Sequence, residues 1–249
     1  MRLTEEVYLV GGSPSHGFGL SGPMDSHVYL IDGGDELALV DCGMARGESL
    51  GRIHENIRAD GLDPKRLRRV FVTHYHVDHM GGLAAWQRRY EVVAAAGEEA
   101  AAAIEGADAH ATGFALAREA GIYPRDYELK PAVVQDRLTD GDARRVGDLD
   151  VEVVATPGHC RGHCAFRLVG RDRTHLFTGD CVFFGGRISL LNTADSDLAA
   201  YRASLLRLDG LDFDALLPGH GALCLWDGRG HVAGAAAAFR TLSLPRNVE

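Results

Sequence analysis

The sequence predicts an α/β fold: two β-sheets packed face to face, with helices on the outside, in four layers. Three observations predict it. Apolar runs of strand length alternate with stretches of helical spacing, and this order occurs twice along the 249 residues. No linker, low-complexity tract or short-period repeat separates the two passes, so 1–249 reads as a single domain. Hydrophobic content of 46% and charged content of 24% are ordinary for a globular chain, and this length buries a sizeable core.

The elements follow in order. "VYLV" (Val7 to Val10) is a short strand, and a Gly/Ser/Pro loop runs from Gly11 to Ser26. "HVYLID" and "LALVDCG" flank the turn "GGDE" and form a hairpin. In "ESLGRIHENIRADG", Leu50, Ile53 and Ile57 fall on one helix face, and Gly61 stops the helix. "RVFVTH" is a buried strand, "GLAAWQRRY" a helix and "EVVAAA" a strand. A helical insert covers roughly Glu98 to Gly121. Leu149 to His159, "CAFRLVG" and "THLFTGD" are strands. Ser196 to Leu208 is a helix with Ser196 as N-cap. "ALLPGHG" is a last strand and turn, and "HVAGAAAAFRTL" a closing helix.

Charge and composition narrow the partners. A net charge of −9 and a pI near 5.7 argue against a nucleic-acid partner, which calls for a basic field. The basic cluster "KRLRR" (Lys65 to Arg69) reads as a solvated turn before a strand. Acidic residues follow the first arginine, and the first apolar run is only about four residues, so no signal peptide is expected. No apolar stretch reaches the ~18 residues of a membrane span, and "AAAGEEAAAAI" reads as a surface helix. The cysteines (Cys42, Cys160, Cys164, Cys181 and Cys224) are odd in number and widely spaced. Reduced thiols in a cytoplasm are expected.

"THYHVDHMGG" (Thr73 to Gly82) carries the strongest chemistry. Alternate residues of an extended chain share a side, so His74 and His76 project together and can hold one cation. Asp78 and His79 lie beyond, where Gly81 and Gly82 allow a tight turn, and can face a second cation. Imidazole with carboxylate suits zinc, iron or manganese. Three later strands repeat the pattern. "TPGH" ends in His159, "TGD" in Asp180 and "PGH" in His220, each beside a glycine.

In this order and spacing the chain resembles the metallo-β-lactamase superfamily. The match is HxHxDH at His74–His79, then His159, Asp180 and His220, with motif regions from Asp41 to Gly221. The resemblance implies an αβ/βα sandwich with a dinuclear site on its edge. It implies one divalent metal on His74, His76 and His159, and another on Asp78, His79 and His220. Asp180 would bridge them. Zinc is the expected metal, with iron or manganese as alternatives. Two adjacent cations make a bridging water acidic enough to supply hydroxide near neutral pH. Asp78 can also orient that hydroxide and shuttle a proton to the leaving group, which makes it the catalytic candidate. Asp41 in "LVDCG" reads equally as a turn aspartate; the family pattern makes it a buried acceptor behind a ligand imidazole.

Other residues carry weaker signals. His163 reads as a donor behind a ligand or as a turn cap. Cys160 and Cys164, spaced C-x₃-C with no second pair, read as core thiols. Cys181, next to Asp180 on a strand, should point away from the metal. His16, His27, His54, His110, His175 and His231 read as ordinary surface or core histidines.

The superfamily covers several reactions, and fold does not choose among them. True β-lactamases of class B place a cysteine where this chain has Asp180. Flavodiiron proteins carry Glu at the His76 position and a flavodoxin domain. Nuclease members carry basic arms or extra domains. Homoserine-lactone lactonases have a tyrosine where Phe183 stands. "TGDCVFFGG" and the helix before "LLPGHG" look closest to glyoxalase II-like hydrolases, yet only 29 residues follow His220, too few for their glutathione-gripping helical domain. The pocket is expected between the Gly12–Ser26 loop and the Gly106–Tyr127 insert. Phe18, Met24, Phe114, Tyr123 and Tyr127 either wall it or simply pack. The expected function is dinuclear hydrolysis of a small ester, thioester or lactone by a metal-bridging hydroxide. The alternative is a mononuclear iron dioxygenase of persulfides, using the first metal site alone. A small-molecule substrate is expected, with no nucleic acid and no membrane.

Overall fold

Strand β1 (Val7–Gly11) opens a six-stranded sheet with β2 (Val28–Asp32), β3 (Leu37–Val40), β4 (Leu67–Val72), β5 (Val93–Gly97) and β6 (Asp136–Leu138), hydrogen-bonded in that order. The computed structural model describes residues 1–248, and the reading given to the His16 side chain lies outside what it describes. Pairs β1–β2 and β2–β3 are antiparallel; β3–β4, β4–β5 and β5–β6 are parallel. A five-stranded sheet runs β11 (Ala215–Pro218), β10 (Thr174–Gly179), β9 (Cys164–Val169), β8 (Leu149–Ala155), β7 (Ala143–Val146).

Alternation places the core. Along β1, Val7 and Leu9 face the second sheet while Tyr8 and Val10 face helices, and all four are buried. Between the sheets, Val7, Leu9, Ile31 and Phe71 meet Val151, Val153, Phe166 and Phe177 in one apolar cluster. Phe71 meets Phe166 at a tilt and Tyr29 meets Phe177 edge-to-face, 5.2 and 5.3 Å between ring centres. Truncating one such buried phenylalanine to alanine costs about 3–5 kcal/mol. Outside the first sheet lie α1 (Ser49–Ala59), α3 (Leu83–Tyr90) and α4 (Glu98–Gly106), through Ile53, Trp86 and Ile104 among others. Outside the second lie α6 (Leu198–Leu208) and α7 (Gly228–Arg240), through Tyr201, Leu205 and Phe239. Short helices α2 (Val77–Met80) and α5 (Phe114–Glu119) complete the set. The expected four-layer sandwich is the observed one.

Strand direction puts the chemistry on one edge. Parallel β3 and β4 end together at Asp41 and His74. Because β8 and β10 both run antiparallel to β9, and β11 runs parallel to β10, the ends leading to His159, Asp180 and His220 also point one way. The two edges are tied: Cys164 N–H donates to the Thr73 carbonyl at 2.8 Å, and His27 N–H to the Gly219 carbonyl at 2.7 Å.

Several local expectations are corrected. The "KRLRR" cluster is not a free turn: Lys65 and Arg66 end a 3₁₀ turn, and Leu67 starts β4 fully buried. Arg66 and Arg69 pair with Asp32 and Asp136. "AAAGEEAAAAI" divides, with Ala94–Ala96 in β5 and Ala100, Ala101, Ala103 and Ile104 buried on α4. The N-cap of α6 is Asp197, not Ser196; its carboxylate accepts from Ala199 and Ala200 N–H at 2.8 and 2.9 Å. Ser196 instead donates to the Gly158 carbonyl. Strands β6 and β7 went unread because they are short and carry exposed arginines. No helix of the described residues is long and apolar enough to cross a membrane. All five cysteines are free thiols.

Candidate metal centre

The chain after β4 changes from extended to helical within the opening motif. His76 is the N-cap residue of α2, so Asp78 and His79 sit in its first turn. Gly81 and Gly82 have ordinary helical dihedrals, so they do not serve as a conformational hinge. They allow close approach instead. A Cβ on Gly81 would lie 2.4 Å from the Tyr127 hydroxyl, and one on Gly82 would lie 2.9 Å from the Ala45 methyl. Gly219 of "PGH" has the same role. A Cβ there would sit 2.4 Å from Asp180 Oδ1 and 2.6 Å from His79 Cε1.

All seven predicted side chains meet. The ligand-type atoms of His74, His76 and His159 lie within 4.8 Å of one another, and so do those of Asp78, His79 and His220. His76 Nδ1 and His159 Nε2 face each other at 2.9 Å, and His79 Nε2 and His220 Nε2 at 3.3 Å. Asp180 lies between the sets: Oδ1 is 3.3 Å from His79 Nε2, and Oδ2 is 3.5 Å from His220 Nε2 and 3.7 Å from His159 Nε2. Asp78 Oδ2 is 3.1 Å from His220 Nε2. His74 Nε2 is buried without a hydrogen-bond partner. Imidazole nitrogens that converge on one another beside two carboxylates fit a pair of divalent cations.

A rigid frame holds these rings. His79 Nδ1–H donates to Asp41 Oδ2 at 2.8 Å, and Asp41 also accepts from Thr73 N–H and hydroxyl at 2.8 Å each. Asp41 holds a left-handed φ of 58°, a conformation that costs an ordinary residue on the order of 1–3 kcal/mol, so these bonds must fix it there. His74 Nδ1 pairs with the Thr73 hydroxyl at 2.9 Å, and His159 Nδ1–H donates to the Ser189 carbonyl at 2.6 Å. Tyr201, fully buried on α6, shares its hydroxyl proton between the Asp180 and Cys181 carbonyls and accepts Ser189 N–H. His163 is an acceptor here and caps no helix. Its Nε2 takes Asp180 N–H at 3.2 Å, and Nδ1–H donates to the Thr156 hydroxyl. Tyr201, Ser189 and Thr156 escaped sequence reading because a packing tyrosine or a strand-end hydroxyl has no distinguishing spacing. Cys181 points into the apolar cluster under α6 and α7.

Environment divides the histidines. Burial and the neighbouring imidazoles hold His74 well below the usual range and His76 down to about 4; burial also lowers His159. For His79 and His220, burial opposes the charged form but Asp180 and Asp78 outweigh it. His79 rises well above the usual value and His220 rises to about 9. Burial also opposes the charge on Asp78, yet His79 and His220 hold it far below the usual carboxylate range.

Two cavities flank the cluster. One, of about 730 Å³, is lined by Asp180 and His220 together with Phe18, Phe183, Phe184 and Val248. The other, of about 830 Å³, is bordered by Tyr75, Asp108, His110, Gly113, Arg161 and Asp195. Of the expected pocket wall, only Phe18 lines the first. Met24, Phe114 and Tyr127 pack with Met44 and Val77 in a small cluster beneath the insert. Tyr123 belongs to that cluster by its ring, but its hydroxyl donates to Asp78 Oδ1 at 2.5 Å. Phe183 and Phe184 take the aromatic role, at the 3₁₀ turn that follows the buried Cys181 and Val182.

The family model of the metallo-beta-lactamase superfamily matches residues 21–220. The chain belongs to that superfamily. An acyl-coenzyme A thioesterase of Gallus gallus (MBLAC2) is 31% identical over 78% of this chain and 72% of its own length. An atrochrysone carboxyl ACP thioesterase of Aspergillus fumigatus is 28% identical over 87% of this chain, which spans 56% of that relative. Among solved structures, a metallo-beta-lactamase family protein of Thermus thermophilus superposes with a TM-score of 0.74 at 23% identity, covering 96% of this chain and 81% of that one. A subclass B3 metallo-beta-lactamase of Bradyrhizobium japonicum gives 0.67 at 23% identity, covering 87% of each. At that identity the superpositions establish the fold alone.

Proposed function

We propose that this metallo-β-lactamase-fold hydrolase cleaves small acyl esters, with acyl thioesters as the leading class. His74, His76 and His159 would hold one divalent cation and Asp78, His79 and His220 a second, with Asp180 between them. The observation that carries the reading is that Asp180 faces both donor sets at the mouth of an aromatic cavity. The thioesterase names of two relatives support the substrate class.

Divalent cations held there, zinc first among them, would supply an acidified water near neutral pH and Lewis-acid polarisation of a substrate carbonyl. The chain's own residues do the rest. Phe18, Phe183, Phe184 and Val248 offer an acyl chain an apolar wall. The more polar cavity beside Arg161 and His110 suits the leaving group. Asp78 stays ionised, and the Tyr123 hydroxyl steadies its Oδ1, so Oδ2 is presented to the site. A carboxylate so held can accept the proton that the attacking water gives up and pass it to a departing thiolate or alkoxide.

The test is metal quantification on protein made without added metal, then a screen of acyl thioesters, esters, lactones, phosphodiesters, a β-lactam and a persulfide. About two cations per chain and turnover of acyl thioesters support the reading. One iron per chain with oxygen uptake on the persulfide replaces it with dioxygenase chemistry.

A further inference from the structure

Three histidines of the cluster have an evident partner behind the ring: the Thr73 hydroxyl for His74, Asp41 for His79 and the Ser189 carbonyl for His159. His76 is held differently. Its Nδ1 faces His159 Nε2, so Nε2 points out of the cluster. That nitrogen is directed at Gly113, where a Cβ would lie 3.9 Å from it. Gly113 lines the same cavity as Tyr75 and Asp195. A ring nitrogen of His76, an Asp195 carboxylate oxygen and Cys160 Sγ lie within 4.8 Å of one another. Cys160 is fully buried and its sulfur is a weak acceptor, so the carboxylate is the stronger partner. Asp195 is itself anchored, because the Tyr75 hydroxyl donates to its Oδ2 at 2.6 Å. Tyr75 is buried and adjacent to His76 in the chain, so anchor and ring keep a fixed separation.

We propose that Asp195, anchored by Tyr75, is the positioning residue for His76. Its carboxylate takes the Nε2–H, directly after a small rotation or through one bridging water. This fixes the tautomer that turns the Nδ1 lone pair toward the cation and strengthens the ring as a donor. The inference rests on the reading of His76 as a metal ligand. It brings into the centre a residue 120 positions beyond Tyr75 in the chain, from a loop that carries no motif.

The test compares zinc affinity, by competition with a chromophoric chelator, and the visible spectrum of the cobalt(II)-substituted full chain. Asp195→Ala is expected to weaken one of the bound cations about 10–100-fold and to shift the cobalt bands. Asp195→Glu should restore much of the affinity, and Tyr75→Phe should lose less, in the same direction. Asp195→Asn keeps the shape without the charge and should fall between. Unchanged melting by circular dichroism separates these losses from misfolding. A wild-type chain that binds cations, with Asp195→Ala matching it in affinity and spectrum, overturns the inference and leaves the metal centre standing. A wild-type chain that binds none removes both.

Discussion

The two halves of the centre are built from the same residue type and behave oppositely. His74, His76 and His159 sit among imidazoles, backed by a hydroxyl, a carbonyl and, as proposed above, Asp195. Burial and mutual repulsion keep them neutral. His79 and His220 sit among Asp41, Asp78 and Asp180, and the carboxylates hold protons on them. A divalent cation would find the first set ready, whereas at the second it would have to displace protons. Neighbouring charge, rather than residue identity, sets how each half binds.

The largest expected effect comes from removing what the halves share. Asp180→Ala should drop metal content from about two to below one per chain and take hydrolysis to background, read by elemental analysis and turnover. Two cations retained would show that the halves are independent. Asp41→Ala should separate them. Elemental analysis with chelator competition should show the second cation weakened about 10–100-fold and the first less, because Asp41 reaches His74 only through the Thr73 hydroxyl. Acidity should separate them further. His220 has a folded value near 9, above its ordinary 6.5, so metal affinity of the second half should rise on the order of tenfold per unit from pH 6.5 to 9. His76, near 4, leaves the first half almost level over that range. In metal-free protein the sign reverses. The stability from protonated His220 is complete below pH 6.5 and is lost as pH rises through about 9, so its melting temperature should fall over that window. The smallest effect is common to both halves. Tyr201→Phe leaves the buried Ser189 N–H without its acceptor and should cost about 1–3 kcal/mol in a urea titration, with equal weakening of both cations.

The legible part of the centre was local. Strand ends, each followed by a histidine or aspartate beside a glycine, marked His74 through His79, then His159, Asp180 and His220. The reason for those glycines was not legible. Gly219 reads as a turn residue, yet what demands it is Asp180 Oδ1, brought in from the end of a different strand. That Met24, Phe114 and Tyr127 pack rather than wall the pocket has a related reason. The aromatic insert needs a core of its own, and Phe114 and Tyr127 supply it together with Met24, Met44 and Val77.

By itself the sequence determined the four layers and the seven convergent side chains. Apolar periodicity and ligand-type residues at strand ends are written within a few positions of one another. Only the tertiary structure decided which imidazoles are neutral and which hold protons. It also brought Tyr201, Ser189 and Asp195 in behind the rings, and Phe183 and Phe184 in to line the cavity. Those outcomes depend on distance and burial between residues far apart in the chain, and no spacing encodes them.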